Sequence, residues 1–83
     1  MNGATVNLLY FARVAELVGK RGESWPLATP TTGAQLLEAL QERYPDLAPA
    51  ARLKLAINQM HAKANATIAP GDEVAIFEPV TGG

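Results

Sequence analysis

Cysteine is absent from the sequence, and histidine and serine each occur once, as His61 and Ser24. Without cysteine the chain has no disulfide bond, no iron–sulfur or zinc–thiolate ligand and no thiol nucleophile of its own. Ser24 is followed by Trp25 and Pro26 and lacks the Gly-x-Ser-x-Gly setting of many hydrolase nucleophiles. These absences argue against a stand-alone hydrolase or metalloenzyme.

A surplus of one charge sign is also lacking, since seven Lys and Arg stand against eight Asp and Glu. A general nucleic-acid-binding protein would carry a basic surplus. The start of the chain has no basic region or cleavage site of a signal peptide. The apolar stretch 6–18 is interrupted by polar residues and is too short to span a bilayer. We therefore expect a cytoplasmic protein whose partners include neither nucleic acid nor a membrane.

The 83 residues, of which 48% are hydrophobic, suffice for one small globular domain. A first strand is predicted over Thr5–Phe11, and because both its faces carry large apolar side chains we expect it in a central position. A short helical turn follows over Ala12–Val18 and stops at Gly19. Residues 23–28 predict a weaker strand, which Pro26 places at an edge of the sheet.

A capping-box pattern, Thr32 with Gln35, predicts the main helix over Gly33–Arg43, which Pro45 prevents from continuing. The leucines of this helix are expected in the core.

Short strands are predicted over Leu55–Asn58, turning back near Asn58-Gln59, and over Glu73–Phe77 after the turn residues Pro70-Gly71-Asp72. The helix provides the long connection that parallel pairing needs, so we expect the last strand beside the first in an α+β fold.

The chain runs on from Phe77 as Glu78-Pro79-Val80-Thr81-Gly82-Gly83. Two glycines can enter a channel too narrow for any side chain and adopt whatever φ it requires. They present a bare carboxylate, which attack on the α-phosphate of ATP would convert into an acyl adenylate for a sulfur or amine nucleophile. The alternatives are a frayed terminus that happens to end in glycine, or a cloning remnant.

Strand alternation predicts a second feature, an apolar patch. If Val6, Leu8 and Tyr10 face the helix, their neighbours point to the other side of the sheet. With a helix on one side only, that side would expose an apolar patch of the kind that marks docking surfaces, unless a loop covers it. The patch would consist of Leu9, Phe11, Ala75 and Phe77.

Two further residues, His61 and Trp25, lie outside these motifs. His61 is interpreted as a solvated turn residue rather than a catalytic group, with a place at the rim of the patch left open. Trp25 fits either the edge of the core or an exposed position.

The sequence resembles the small subunits of molybdopterin synthase, sulfur-carrier proteins of the ubiquitin-like β-grasp family. The resemblance covers essentially the whole chain. It rests on Tyr10-Phe11-Ala12-Arg13, Glu16-Leu17-Val18-Gly19, Ala56-Ile57-Asn58-Gln59, Pro70-Gly71-Asp72-Glu73-Val74-Ala75-Ile76 and Pro79-Val80-Thr81-Gly82-Gly83. One departure is Glu78, where the family usually has a second proline.

The resemblance implies a mixed sheet of about four to five strands with one main helix on one face, a domain over 1–77 and a flexible, protruding tail over 78–83. It further implies that Gly83, with Gly82, carries the chemistry: an adenylyltransferase activates the carboxylate with ATP, and a sulfurtransferase system converts it into a thiocarboxylate. No permanently bound cofactor and no metal site is expected, and the chain alone is not an enzyme.

The carrier would then dock on the large synthase subunit and donate sulfur to a pterin precursor, forming the dithiolene of molybdopterin. The residues expected at that interface are Leu9, Phe11, Ala75, Phe77, Pro79, Val80 and Thr81.

Three other functions stay open. A thiamine-pathway sulfur carrier would use the same chemistry, although such carriers tend to be shorter and to lack the segment between the helix and Leu55. A ubiquitin-like modifier would be joined through Gly83 to lysines of other proteins. A plain interaction module would have an inert tail. The sequence does not separate these by its tail, nor does it reveal the oligomeric state or the sulfur donor.

Overall fold

The computed structural model describes residues 4–47, 49 and 52–79. Within this part of the chain, no helix is long and apolar enough to cross a membrane. The elements in chain order are β1 (Thr5–Tyr10), α1 (Ala12–Val18), β2 (Gly22–Pro26), β3 (Thr31–Thr32), α2 (Gly33–Arg43), β4 (Lys54–Ile57), β5 (Met60–Ala62), β6 (Thr67–Ile68) and β7 (Glu73–Phe77).

Five strands form one mixed sheet in the order β2-β1-β7-β4-β5. The last strand, β7, lies at its centre, parallel to β1 with Leu8 opposite Val74, and antiparallel to β4 with Leu55 opposite Ile76. The predicted parallel pairing of the first and last strands is confirmed. β2 lies at an edge of the sheet. Pro26 has no N–H to donate, and at an edge no strand lies on the outer side to need that hydrogen bond.

The junction between β1 and α1 differs from the prediction by one residue. β1 ends at Tyr10, and Phe11, whose backbone is still extended, forms the N-cap of α1. α1 covers the predicted residues as an α-helix of seven residues, and its first residue, Ala12, has a φ of 50°. It stops at Gly19, whose φ of +89° is readily adopted only by glycine and whose N–H donates to the carbonyl of Ala15.

α2 covers the predicted residues, and its capping box is confirmed. The Thr32 hydroxyl accepts from the backbone N–H of Gln35 at 3.2 Å, and the Thr32 N–H donates to the Gln35 side chain at 3.1 Å. Two donors that the first turn of a helix leaves without partners are thereby satisfied.

A single hydrophobic core lies between the sheet and the helices. Both helices contribute to it, α1 through Val14 and α2 through its leucines. Trp25 packs against the edge of this core from β2, which decides its position. Burial of each large aliphatic side chain contributes on the order of 1.5–3 kcal/mol. The buried residues are Val6, Leu8, Tyr10, Val14, Leu36, Leu37, Leu40, Leu47, Leu53, Leu55, Ile68, Val74 and Ile76.

A small second sheet, β3 with β6, was not predicted from the sequence. Its strands have two residues each, too few for an alternation of apolar and polar side chains to be visible. It holds the start of α2 in place: the N–H of Gly33 donates to the carbonyl of Ala66 at 3.0 Å, and that of Ala34 to Ala64 at 2.8 Å.

β4 and β5 form a hairpin whose two-residue loop is Asn58-Gln59, as predicted. Both loop residues have positive φ, 51° and 72°, which a two-residue hairpin of this hand requires. Asn58 tolerates this conformation well, whereas Gln59 does so at a cost. His61 lies in β5 opposite Ala56, so its interpretation as a turn residue is wrong.

The turn before β7 is built as its residues predict. Gly71 has a φ of 94°, and the Asp72 carboxylate accepts from the N–H of Ala69 at 2.9 Å. The Asn58 side-chain amide donates to the same carboxylate at 3.1 Å, and the Asn58 side-chain oxygen accepts from the N–H of Glu73. The Ala69 and Asn58 bonds hold the pKa of Asp72 below its usual range. The hairpin loop and this turn are thus joined at one end of the sheet.

We expect Gln59→Gly to stabilise the domain by about 0.5–1 kcal/mol, because glycine removes the cost of positive φ. Urea unfolding followed by circular dichroism measures the change. The control is Glu38→Gly in α2, where glycine should destabilise by about 1 kcal/mol. A loss of stability in Gln59→Gly would contradict the strained-loop interpretation.

Candidate interaction site at the end of the central strand

The end of β7 is the root of the tail. Phe77 is its last residue, Glu78 is half-buried and Pro79 is exposed. Next to this end, the N–H of Phe11 donates to the carbonyl of Ile76 at 3.3 Å. This hydrogen bond fixes the start of α1 to the last residues of the central strand. The expected site residues Val80, Thr81, Gly82 and Gly83 lie outside the described residues.

The side of the sheet opposite the helices, here called the open face, carries the predicted apolar residues. Leu9 and Ala75 lie side by side on neighbouring strands. Phe11 is 50% exposed, while Leu9, Ala75 and Phe77 are half-buried. Since α1 and α2 both bury their side chains in the core on the other side, no described helix covers this face. The alternation prediction is confirmed, and its role in docking stays a prediction.

His61 also belongs to the open face, a place that the sequence left open for it. Its ring meets the Phe77 ring edge-on, with centroids 5.6 Å apart and planes at 86°. The two residues lie on strands separated by β4, and the residue of β4 opposite His61 is Ala56, whose small side chain leaves room for the contact. A two-residue loop at Asn58-Gln59 pairs the residues on either side of it in order, and counting these pairs away from the loop would have placed His61 opposite Ala56.

A cleft of about 440 Å³ adjoins the open face where β1 meets α1. Its lining is mostly apolar, with one arginine. Small side chains at Ala12 and Ala15 leave this space beside the Phe11 ring. The residues that line it are Leu9, Tyr10, Phe11, Ala12, Ala15 and Arg21.

A second cleft, of about 310 Å³, contains Glu78 and is mostly charged. Arg13 and Arg52 line it together with the carboxylates of Asp46 and Glu78. The charge that replaces the family's usual proline therefore lies beside two arginines. By strand alternation Glu78 points away from the side that bears Phe77, so it adds no charge to the open face.

The strongly perturbed titratable groups of the described residues lie elsewhere, around Glu23. The hydroxyls of Tyr10 and Tyr44 both donate to Glu23 Oε2, at 2.5 and 2.7 Å, and Lys20 Nζ lies 3.3 Å from Oε1. Burial would raise the pKa of Glu23, but the bonds from Tyr10, Tyr44 and Lys20 outweigh it and lower the pKa.

The tyrosines respond in the opposite direction. Burial, together with the hydrogen bond to Glu23, raises the pKa of Tyr10 far above its usual range, and the same causes raise the pKa of Tyr44. Glu23 lies in β2, Tyr10 in β1 and Tyr44 at the end of α2. The cluster therefore ties the helix to the sheet edge, and its perturbed groups have a structural explanation.

Across the described residues, no group of three His, Asp or Glu side chains comes together in a way that could hold a metal ion. What the described residues present is a surface for binding, an apolar sheet face beside the end of the last strand.

A mixed sheet that wraps one long helix, with the last strand at its centre, defines the ubiquitin-like β-grasp fold. The ubiquitin of Caldiarchaeum subterraneum superimposes with a TM-score of 0.66 at 14% identity, over 99% of this chain and 100% of that one, and shows the fold alone. The small archaeal modifier protein 1 of Haloferax volcanii gives a TM-score of 0.75 at 28% identity, over 94% of this chain and 100% of that one.

Sequence comparison gives the family. The model of the ThiS family matches residues 8–83. The molybdopterin synthase sulfur carrier subunit of Escherichia coli (strain K12) is 36% identical over 80 residues, covering 94% of this chain and 99% of the relative. The human protein of the same name is 32% identical over 82 residues, covering 94% and 93%. The chain belongs to the ThiS family.

We expect Glu23→Gln to lower the free energy of unfolding at pH 7 by about 1–2 kcal/mol, because two tyrosine hydroxyls and Lys20 lose a charged acceptor. A carboxylate with a lowered folded pKa stabilises the protein above its unfolded pKa, and this contribution is lost as the pH falls through the folded value. The gap between variant and wild type should therefore shrink below about pH 4. Urea unfolding at pH 7 and at pH 3 measures it.

The matched control is Glu38→Gln, an exposed glutamate of α2, which should change stability by less than about 0.5 kcal/mol. A gap between Glu23→Gln and wild type that is the same at both pH values would contradict the role of the carboxylate charge.

Proposed function

We propose that this chain is the sulfur-carrying small subunit of a molybdopterin synthase and acts in molybdenum cofactor biosynthesis. The observation that supports this most directly is the pairing of two features. The central strand runs straight into a tail that ends Gly82-Gly83, and an exposed apolar face lies beside the root of that tail. Relatives named as sulfur carrier subunits match over nearly the full chain.

The reactive group in this proposal is the Gly83 carboxylate. An adenylyltransferase partner supplies ATP, and a carboxylate oxygen attacks its α-phosphorus with release of pyrophosphate, giving an acyl adenylate. A sulfurtransferase system then supplies sulfur at the oxidation level of sulfide; this sulfur attacks the acyl carbon and AMP leaves, so that a thiocarboxylate remains. The carrier has no cysteine of its own, and the tail itself holds the sulfur. No permanently bound cofactor is required.

The open face docks the loaded carrier on the large synthase subunit, where the pterin precursor receives the sulfur. Phe77 and Phe11 act as anchors, since aromatic side chains dominate binding energy at protein interfaces. Leu9 and Ala75 provide the flat centre, and Pro79, Val80 and Thr81 enter the partner with the glycines. The chain contributes the sulfur and the docking surface, and the large subunit provides the catalytic groups.

A ubiquitin-like protein modifier is the second candidate. It is favoured by the similarity to the small archaeal modifier protein 1, which has the same fold over nearly the whole chain. The adenylate is common to both chemistries, and the two functions differ in the group that takes the acyl carbon: a sulfur in one, a lysine amine in the other.

The direct test is the intact mass of the untagged protein after incubation with ATP and native cell extract. We expect one oxygen to be replaced by sulfur, and the product to react with iodoacetamide. Because the chain lacks cysteine, that alkylation distinguishes a thiocarboxylate from methionine oxidation, which leaves nothing for iodoacetamide to modify in this way.

The controls are a chain without Gly82-Gly83 and a chain extended beyond Gly83, neither of which should gain sulfur. Adducts with other proteins would support the modifier instead. An unchanged mass would contradict both functions and leave an interaction module.

Docking is tested by Phe11→Asp and Phe77→Asp, each of which should weaken binding to the large synthase subunit at least tenfold while the domain stays folded. Titration calorimetry gives the affinity and circular dichroism the fold. Met60→Asp is the matched control, because Met60 is 73% exposed but is paired with Ile57, whose side lies toward the helices. Equal affinity in all three variants would rule out the open face as the interface.

A further inference from the structure

The half of the open face nearest the tail carries two lysines. Lys54 lies directly opposite Phe77 on the neighbouring strand and is exposed. Lys63, also exposed, follows β5, and continuing the register of Leu55 with Ala62 places it beside Lys54. The imidazole of His61 contacts the Phe77 ring from the other side of β4. Two positive charges therefore lie on the same face as one aromatic anchor.

No described strand carries a carboxylate on this half, and Glu78, which follows Phe77, lines the cleft with Arg13 and Arg52 on the other side of the sheet. On the described strands, the acidic residues are Glu23 and Glu73. Glu23 points to the helix side, where it binds the two tyrosines. Glu73 shares the open face but stands four residues before Phe77, about 13 Å along the strand. In the described part of the chain the ion pair found is Lys20 with Glu23, so Lys54 and Lys63 are not neutralised by a bonded carboxylate.

Lys54 and Lys63 lie on this half in a molecule whose formal net charge is −1. On the opposite side of the sheet α2 carries charges of both signs, the exposed acids Glu38 and Glu42 together with Arg43. A local excess of positive charge orients a protein as it approaches a negatively charged surface. The two lysines thus present the root of the tail first to a negatively charged partner.

We propose that the partner surface for the open face is an apolar socket ringed by carboxylates, and that Lys54 and Lys63 steer the carrier onto it. The inference rests on the proposed function, in which that partner is a protein that receives the tail. A protein surface suits the patch because its centre is aromatic and aliphatic, through Phe77 and Leu9, whereas a nucleic acid backbone would leave that centre without a complementary group.

The test measures association rates of the full chain with the large synthase subunit of the same organism by stopped-flow fluorescence, at 25 and 300 mM salt. We expect the wild-type rate to fall at least fivefold at the higher salt, because screening removes the attraction. Lys54→Glu and Lys63→Glu should each slow association at low salt about fivefold and flatten the salt dependence. Dissociation rates should change less.

Arg43→Glu is the matched control, since it makes the same charge change at the end of α2, away from the open face. It should leave the association rate and its salt dependence at wild-type values. Circular dichroism verifies that each variant is folded. The salt dependence of the wild-type association rate tests the steering independently, because it does not require that any variant folds.

A wild-type rate that is independent of salt, or Lys54→Glu and Arg43→Glu slowing association equally, would overturn the inference while docking itself stands. If the wild type does not bind the large subunit at either salt concentration, the proposed function fails, and this inference with it.

Discussion

Hydrogen bonding on both edges of β7 is the constraint on which the rest of this structure depends. The last strand of the domain lies between β1 and β4, and its side chains Val74 and Ile76 are fully buried. A strand in this position can neither shift its register nor detach without exposing the core. Glu78 and Pro79 therefore follow directly on the most firmly held element of the sheet.

The same arrangement explains why one side of the sheet is bare. The crossover from the β1–β2 hairpin to β4 runs through α2, and α1 turns back onto the same side, so both helices fill one core. The opposite side is left with Leu9, Ala75 and Phe77, around positions as small as Ala56. An apolar face that no described helix covers, next to the exit of a central strand, is suited to a partner that must bind the domain and the tail together.

The part of the fold that local patterns encode was predictable from the sequence. Side chains two residues apart along Thr5–Tyr10 and Glu73–Phe77 share a face of the sheet, which separates the set with Leu8 and Val74 from the set with Leu9 and Ala75. One capping box locates the start of α2. Most of the candidate site follows from that alternation alone.

What could not be predicted depends on contacts between residues far apart in the chain. Glu23 has no local sequence pattern that indicates two tyrosines from β1 and the end of α2 as its partners. Predicting that His61 lies against Phe77 requires the register of two strand pairs at once, β5 with β4 and β4 with β7. Strands of two residues, such as β3 and β6, arise because the start of α2 needs backbone partners, and they leave no trace in hydrophobic periodicity.

The central position of β7 also has a consequence for how the domain comes into being. Asn7 pairs with Glu73, so the sheet joins residues from nearly opposite ends of the described chain, and non-local pairing of this kind is slow because a large loop must close first. During synthesis, β1 stays without its inner neighbour until residues 73–77 have left the ribosome. A truncated chain thus lacks the centre of its own sheet, and folding itself selects for molecules synthesised through to the root of the tail.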